Sequence, residues 1–553
     1  MASDTSIINK LKTLTRKWVM ATVPLLICLT LGISHSVLAQ TYIDVEPDEG
    51  DEVGSLNRAV EDNGEDGVIF RLQRGGVYWT DANITADYHL HIEAEEGDGP
   101  PPMIRPAVDL VDGTSDHPIH AEGDLTLRGI YYAGLDDVGN WMGNTRLRSE
   151  DTRAVLDNMY FDYHTCFILR SDADNTSWFV TDSQFRHMGQ ETDPNCGRVY
   201  DSRGNDTDSL VFVNNTMYLG THFVIRPHGG TVNYLEFDHN TVVDWGYHLD
   251  IGLTREVVFT NNLLMNLGFR GNSGREGVGY SDHSLLTFMR ADSIEAYNDD
   301  ERDILISNNN MGTLRQEYKD VLESHFVEGD SLWEDPVDTP FLHEQLIDSV
   351  GDHLMDIGVL VMENNIQEPE EEGLQFEDRP DVDSVVEYVD AFLTDPSQDL
   401  PAPWDRRDNL DVGVDEWRNF SYNTDAESYT AAQDGFPLGD LNWFPEQKQA
   451  WEEGDPVSVE KPDVIASEFK LLGNYPNPFN PVTNIAYELA SPSEVNMQVY
   501  NVLGENVGSI NLGMQSAGFH TTSYDASGLS SGVYIVRMQV EGNVQNIRMT
   551  LIK

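Results

Sequence analysis

Val211-Phe212-Val213-Asn214-Asn215 and Val258-Phe259-Thr260-Asn261-Asn262 are one five-residue phrase written twice. Each is a short apolar, β-prone run that closes on a polar pair. The phrase recurs at Ala154 to Asn158, Phe179 to Ser183, Glu236 to Asn240, Leu305 to Asn309 and Val361 to Asn365. Its last residue is almost always Asn, at spacings of 25, 32, 25, 22, 47 and 56. The short spacings suit one coil of a stack of parallel strands, and the long ones suit a coil that carries an insertion. Stacked strands satisfy their backbone groups along the stack axis, and alternate apolar residues fill the interior. Asn tolerates the left-handed conformation of a tight turn, and its amide can bond the Asn above and below. The pattern predicts a single turn column containing Asn158, Asn215, Asn240, Asn262, Asn309 and Asn365.

Upstream come Val68-Ile69-Phe70-Arg71-Leu72, Gly75-Gly76-Val77-Tyr78, His89-Leu90-His91-Ile92-Glu93-Ala94 and Leu125-Thr126-Leu127-Arg128-Gly129-Ile130. These resemble the opening coils of right-handed parallel β-helix proteins of the pectin-lyase-like class. The resemblance covers about residues 41–370 and implies an all-β fold. It leaves activity open, because the class holds lyases, hydrolases, esterases, adhesins and stalks. The expected organisation is a β-helix over 40–370, a C-terminal cap region over 371–445 and a linker over 446–469. The insertion at 312–356 predicts a helix near Leu342 to Val350, and Ser384 to Leu393 reads as another. Gly439-Asp440-Leu441-Asn442-Trp443-Phe444-Pro445 resembles the motif that closes the β-helix in Bacteroidetes-type surface proteins. Trp443 and Phe444 are expected to cover the open end of the stack.

The chain has 553 residues, 95 acids and 34 Lys plus Arg, for a formal charge of −61. That balance excludes nucleic-acid binding through a basic surface. Leu, Ile, Val and Phe make up 142 residues, enough to exclude a chain too polar to fold. Only eight residues are Lys, with none between Lys17 and Lys319. An acidic, Lys-poor surface stays soluble at high salt, so the composition points to a salt-loving source, with a generally acidic secreted protein as the alternative. Lys10, Lys12, Arg16 and Lys17 precede an apolar run from Trp18 to Ile33, and Val37-Leu38-Ala39 offers a cleavage site. Residues 1–39 therefore read as a secretory signal peptide, and no later segment is apolar enough to cross a membrane as a helix. Past it the cysteines are Cys166 and Cys196. An oxidising compartment permits a disulfide between them, with two buried thiols as the alternative.

The last segment opens with Asn474-Tyr475-Pro476-Asn477-Pro478-Phe479-Asn480-Pro481. Alternating strands follow, punctuated at Gly504, Gly518, Gly532 and Tyr534, and read as a small β-sandwich. This order of motifs resembles the type A C-terminal sorting domain of type IX secretion cargo, over 470–553. The resemblance implies an immunoglobulin-like sandwich, the type IX machinery as partner, and a secreted or surface-attached protein.

Candidate chemistry comes from register. Aligning Phe167 and Leu169 with Phe223 and Ile225, and with Leu249 and Ile251, as inward pairs points Cys166, Ile168 and Arg170 outward. The outward sets of the later coils are then His222, Val224 and Arg226, and His248 and Asp250. His222, Arg226, His248 and Asp250 are the expected catalytic or binding cluster, with His228 and Arg270 nearby. Histidine offers an acid or base near neutral pH, and arginine a fork for a carboxylate. The missing lysines exclude a Lys base from these coils. Asp299 to Asp303 and Asp112 to Asp116 could supply oxygen ligands to Ca²⁺, without the spacing of a known calcium loop; no other cofactor is expected. The two functional classes are a polysaccharide-binding or polysaccharide-processing protein, acting as a lyase or glycoside hydrolase if an enzyme, and a non-catalytic adhesion or structural rod.

Overall fold

A computed structural model of the chain describes residues 41–50, 52–107, 119–136, 144–164, 166–189, 196–247, 249–269, 285–291, 297–312, 314–325, 347, 349–370, 373–394, 417–453, 470–475, 481–489, 493–501, 506–515, 518–529, 532–540 and 543–551. They form two compact units, divided between Ser458 and Val459, each around its own apolar core.

The strands of the first unit fall into three parallel sheets of twelve, six and nine strands. One coil runs Thr207–Val213 in the long sheet, Thr216–Gly220 in the second, nine-stranded sheet and Ile225–Arg226 in the third. Thr231–Asp238 then returns to the long sheet beside Thr207–Val213. The result is a parallel β-helix. Alternation aims Trp178 and Val180, Leu210 and Phe212, Leu235 and Phe237, and Val257 and Phe259 into the coil, where all are buried. Like residues stack on like: the Phe237 and Phe259 rings lie 5.1 Å apart, and those of Phe161 and Phe185 in the second sheet 4.8 Å. Each such side chain contributes about 1.5–3 kcal/mol of burial, which no single coil could gather alone.

Two adjacent residues divide the work of the turn between the long and second sheets. The first takes the left-handed conformation: Asn158, Asp182, Asn214, His239, Asn261, Asn308 and Asn364 have φ between 51° and 59°. The second points inward and builds the ladder. Asn215 Nδ2 donates to Asn240 Oδ1 at 2.9 Å, Asn240 to Asn262 at 3.2 Å, Asn262 to Asn309 at 2.9 Å and Asn309 to Asn365 at 2.9 Å. Each amide also reaches a backbone carbonyl, as Asn240 does to Phe212 O at 2.9 Å. Asn158 corrects the expected column. Asp157 pairs with Thr181, and Thr181 with Val213, so Asn158 aligns with Asn214, one position before the ladder. The lower rungs are Ser183, whose N–H donates to Asn215 Oδ1, and Met159, whose N–H donates to Ser183 Oγ.

The left-handed column carries the segment 428–448 along the flank of the stack. Asn308 Nδ2 donates to Ala431 O at 3.1 Å, and Asn261 Oδ1 accepts from Gln433 N at 2.8 Å. Asn214 Oδ1 accepts from Leu441 N at 3.4 Å, and Asp182 pairs with Lys448 Nζ at 2.7 Å. Gly439, at φ +84°, donates to Asn261 O, and a Cβ there would strike Thr241 Oγ1. Trp443 and Phe444 therefore do not cover the open end of the stack. Trp443 Nε1 donates to Thr216 Oγ1 at 2.7 Å, and the Phe444 ring packs on Tyr422 and Tyr429. The expected linker also begins late, because Pro445–Glu453 is a helix whose Lys448 holds Asp182. The other helices include Ser349–Asp356, seven residues beyond the start expected in the insertion, and Val382–Thr394.

The second unit is a three-stranded and a four-stranded antiparallel sheet. Ile485, Tyr487 and Leu489 from one share a core with Val495, Met497, Val499, Val536 and Met538 from the other.

Candidate functional site

The register of the third sheet places one residue per coil in an outer column: Thr85, His120, Arg146, Arg170, Asp201 and Arg226. Neighbouring rungs of a parallel sheet lie about 4.8 Å apart. A stripe of one His and three Arg, interrupted by one Asp, therefore climbs a face of a chain whose formal charge is −61.

Strict alternation fails where the chain enters this sheet. Ile168 and Leu169, Val199 and Tyr200, and Val224 and Ile225 are consecutive pairs that both lie in the core. Ile168 and Val224 thus point inward, against expectation, because the chain bends as it leaves the loop. Phe167, expected inside, is half-buried, with the Arg170 and Arg203 guanidinium groups 5.0 and 5.9 Å from its ring centroid. Phe223 occupies the same position two coils on, under Arg226 at 5.5 Å, with the Tyr247 ring 5.3 Å away. His222 and Asp250 are buried rather than exposed. His222 Nδ1 accepts from Arg198 Nε at 3.1 Å, whereas Asp250 lies opposite Thr287 in the next strand pairing. His248 and Arg270 fall outside the described residues.

Arg198 and Asp201 were not among the expected residues and hold the site together. Their ion pair is 2.7 Å, and His228 Nδ1 lies 3.5 Å from the other Asp201 oxygen. Burial pushes the Asp201 carboxyl up, but the His228 bond and the Arg198 charge outweigh it and hold the group below its usual range. Burial, reinforced by the Arg226 charge, lowers Arg198 to about 10 against the pull of Asp201. Arg226 differs from its neighbours. Its Nε is buried and has no hydrogen-bond partner among the described residues.

Cys166 and Cys196 are bonded to each other. The bridge joins two successive coils at the entry to the third sheet, and Cys196 O accepts from Thr221 Oγ1 at 2.7 Å, beside His222. Other titratable clusters serve packing. Asp162 takes Arg186 at 2.7 Å, His187 at 2.8 Å and the Tyr131 hydroxyl at 2.6 Å, while the Arg186 guanidinium lies 4.0 Å from the Trp417 ring centroid. Burial raises the Asp162 carboxyl, and Arg186 and His187 more than reverse it. On the long sheet, burial drives Glu236 up to about 7, Asp238 adds to the shift, and the Tyr234 hydroxyl opposes it. In the first calcium candidate, Asp299 is committed to Arg290, Arg302 and the Ala291 N–H; the stretch 112–116 lies outside the described residues. Among the described residues no group of three or more His, Cys, Asp or Glu is placed to hold a metal ion.

A family model described as a secretion system C-terminal sorting domain matches residues 474–553. The chain is thus cargo of the type IX secretion system, exported and either released or attached to the outer cell surface. Of the expected sorting residues, Asn474, Pro481, Gly518, Gly532 and Tyr534 lie in or beside the strands of the second unit, and Pro476 to Asn480 and Gly504 fall outside the described residues. Among the described residues no helix is long and apolar enough to cross a membrane. No curated protein and no solved structure matches the chain.

Proposed function

We propose that the first unit is a secreted polysaccharide-binding β-helix that takes an acidic glycan along the outer face of its third sheet. The observation that carries this reading is Arg226. A buried guanidinium nitrogen without a partner calls for an explanation, and a ligand carboxylate gripped by the fork supplies one. The half-buried Tyr247 ring, 5.3 Å from that of Phe223, offers a flat face to the apolar side of a sugar. Arg203, whose guanidinium lies 5.9 Å from the Phe167 ring centroid, adds positive charge on a protein that otherwise repels anions, whereas Arg170 and Arg198 are paired with Asp172 and Asp201. The half-buried Phe167 ring, two coils from Phe223, would take a second sugar unit. His222 and Asp201, both buried, would hold the Arg198 guanidinium in place rather than meet the glycan.

The test is binding of polygalacturonate and of alginate by the wild type and Arg226→Ala at one fixed salt concentration. Because the side chain lies outside the coil core, the variant should fold. Affinity should fall tenfold or more, about 1.4 kcal/mol. A folded variant that binds both polymers as the wild type does would remove the reading.

A further inference from the structure

The negative charge is confined to one unit. Residues 40–458 contain 86 acids and 25 bases, whereas residues 459–553 contain eight acids and five bases. The tail is therefore nearly neutral, while the passenger carries one excess acid for about every seven residues. A receptor that recognised the tail through basic groups would be captured along the whole passenger. Specificity is a difference of affinities, so a receptor serving this cargo gains discrimination by being uncharged. Acids of the passenger would then lose hydration against it and find no counter-charge.

The outer face of the four-stranded sheet fits such a receptor. Its strands Ser493–Asn501 and Asn506–Gln515 are antiparallel, pairing Asn496 with Asn511 and Gln498 with Ser509. Those four side chains are exposed, while Val495, Met497 and Val499 between them are buried in the core. One acid, Glu494, and one base, Arg537 opposite Gln498, flank the patch. Met514, opposite Glu494, is 71% exposed, more than any other large apolar side chain among the described residues. We infer that this face, centred on Asn496, Gln498, Ser509, Asn511 and Met514, is the surface by which the tail docks on the secretion machinery, and that the partner is an uncharged, hydrogen-bonding protein surface with an apolar contact for Met514.

The test uses the full-length chain in cells with a working type IX system, reading the fraction outside the cell against the fraction retained in the periplasm. Gln498→Glu with Asn511→Glu should lower the exported fraction at least tenfold. Gln498→Lys with Asn511→Lys should do the same, since a neutral partner rejects either sign. Gln498→Ser with Asn511→Ser should export within about twofold of the wild type. Protease resistance of the retained tail establishes that it is folded. If a double variant unfolds, Met514→Asp replaces it, because so exposed a side chain contributes little to the fold. Normal export of the charged variants overturns the inference. So does export that only one sign of charge disrupts, because the partner surface would then itself be charged.

Discussion

Glu236 makes the stability of the first unit depend on pH in a direction opposite to that of an ordinary ion-paired acid. It stands on the outer face of the long sheet between Val211 and Val258, is 3% exposed, and takes a 2.8 Å bond from the Tyr234 hydroxyl. Its folded carboxyl titrates near 7, above an ordinary value of 4.5. Between those values the folded protein keeps a proton that the unfolded chain has released. Stability must therefore fall as pH rises through that window and level off above about 7. At about 1.4 kcal/mol per unit, the whole effect is about 3 kcal/mol. Burial holds His89 and His91 below their usual range, which makes stability rise with pH over the lower part of the same window. The measurement must therefore be a difference. Glu236→Gln keeps an acceptor for Tyr234 and removes the proton. Melting of the two proteins should coincide near pH 4, below the window, and the variant should gain about 3 kcal/mol over the wild type near pH 8. For a unit this large that is roughly 3–6 °C in Tm, taking about 1–2 °C per kcal/mol. Melting curves that stay parallel from pH 4 to 8 would refute a buried, neutral Glu236.

The ladder and the charge make two further predictions. Asn240→Ala removes bonds to Phe212 O and Asn262 and strips Asn215 of its acceptor; it should cost about 2–4 kcal/mol in denaturant unfolding, whereas Asn364→Gly, at an exposed turn whose positive φ glycine adopts freely, should cost under about 1 kcal/mol. The Debye length shrinks from about 30 Å at 0.01 M to about 3 Å at 1 M salt, so the Tm of the acidic unit should rise with NaCl while that of the isolated tail, residues 470–553, stays flat. A passenger Tm that is flat or falls would show that its acids are merely solvated.

What was legible in the sequence and what was not divide along a physical line. Residues set by backbone periodicity could be read. The apolar pair and the Asn of each turn recur because every coil solves the same packing problem, so Asn215, Asn240, Asn262, Asn309 and Asn365 align without any structure. The tail was legible for the same reason, since its Gly and Asn turns are local. Asn158 was misplaced because the turn contains two columns, and Asn suits both: it tolerates positive φ in one and builds the amide ladder in the other. Only the pairing of Asp157 with Thr181 tells them apart.

The site was read less well, because it depends on where alternation breaks. At the entry to the third sheet two consecutive residues turn inward in three successive coils, and a period of two cannot anticipate that. The alignment of Phe167 with Phe223 passes over the coil between them, which hid Arg198 and Asp201 of that coil, the pair that ties His222 to the stripe. A signal was present: Arg170, Arg198, Arg203 and Arg226 cluster in a chain with few bases, and Phe167 and Phe223 recur before them. Arg226 was found by register alone, because it lies past the bend, where alternation has resumed. Its neighbours required the register of the skipped coil. That difference explains why the outward position of Arg226 could be read in advance while the tie of His222 to Arg198 could not.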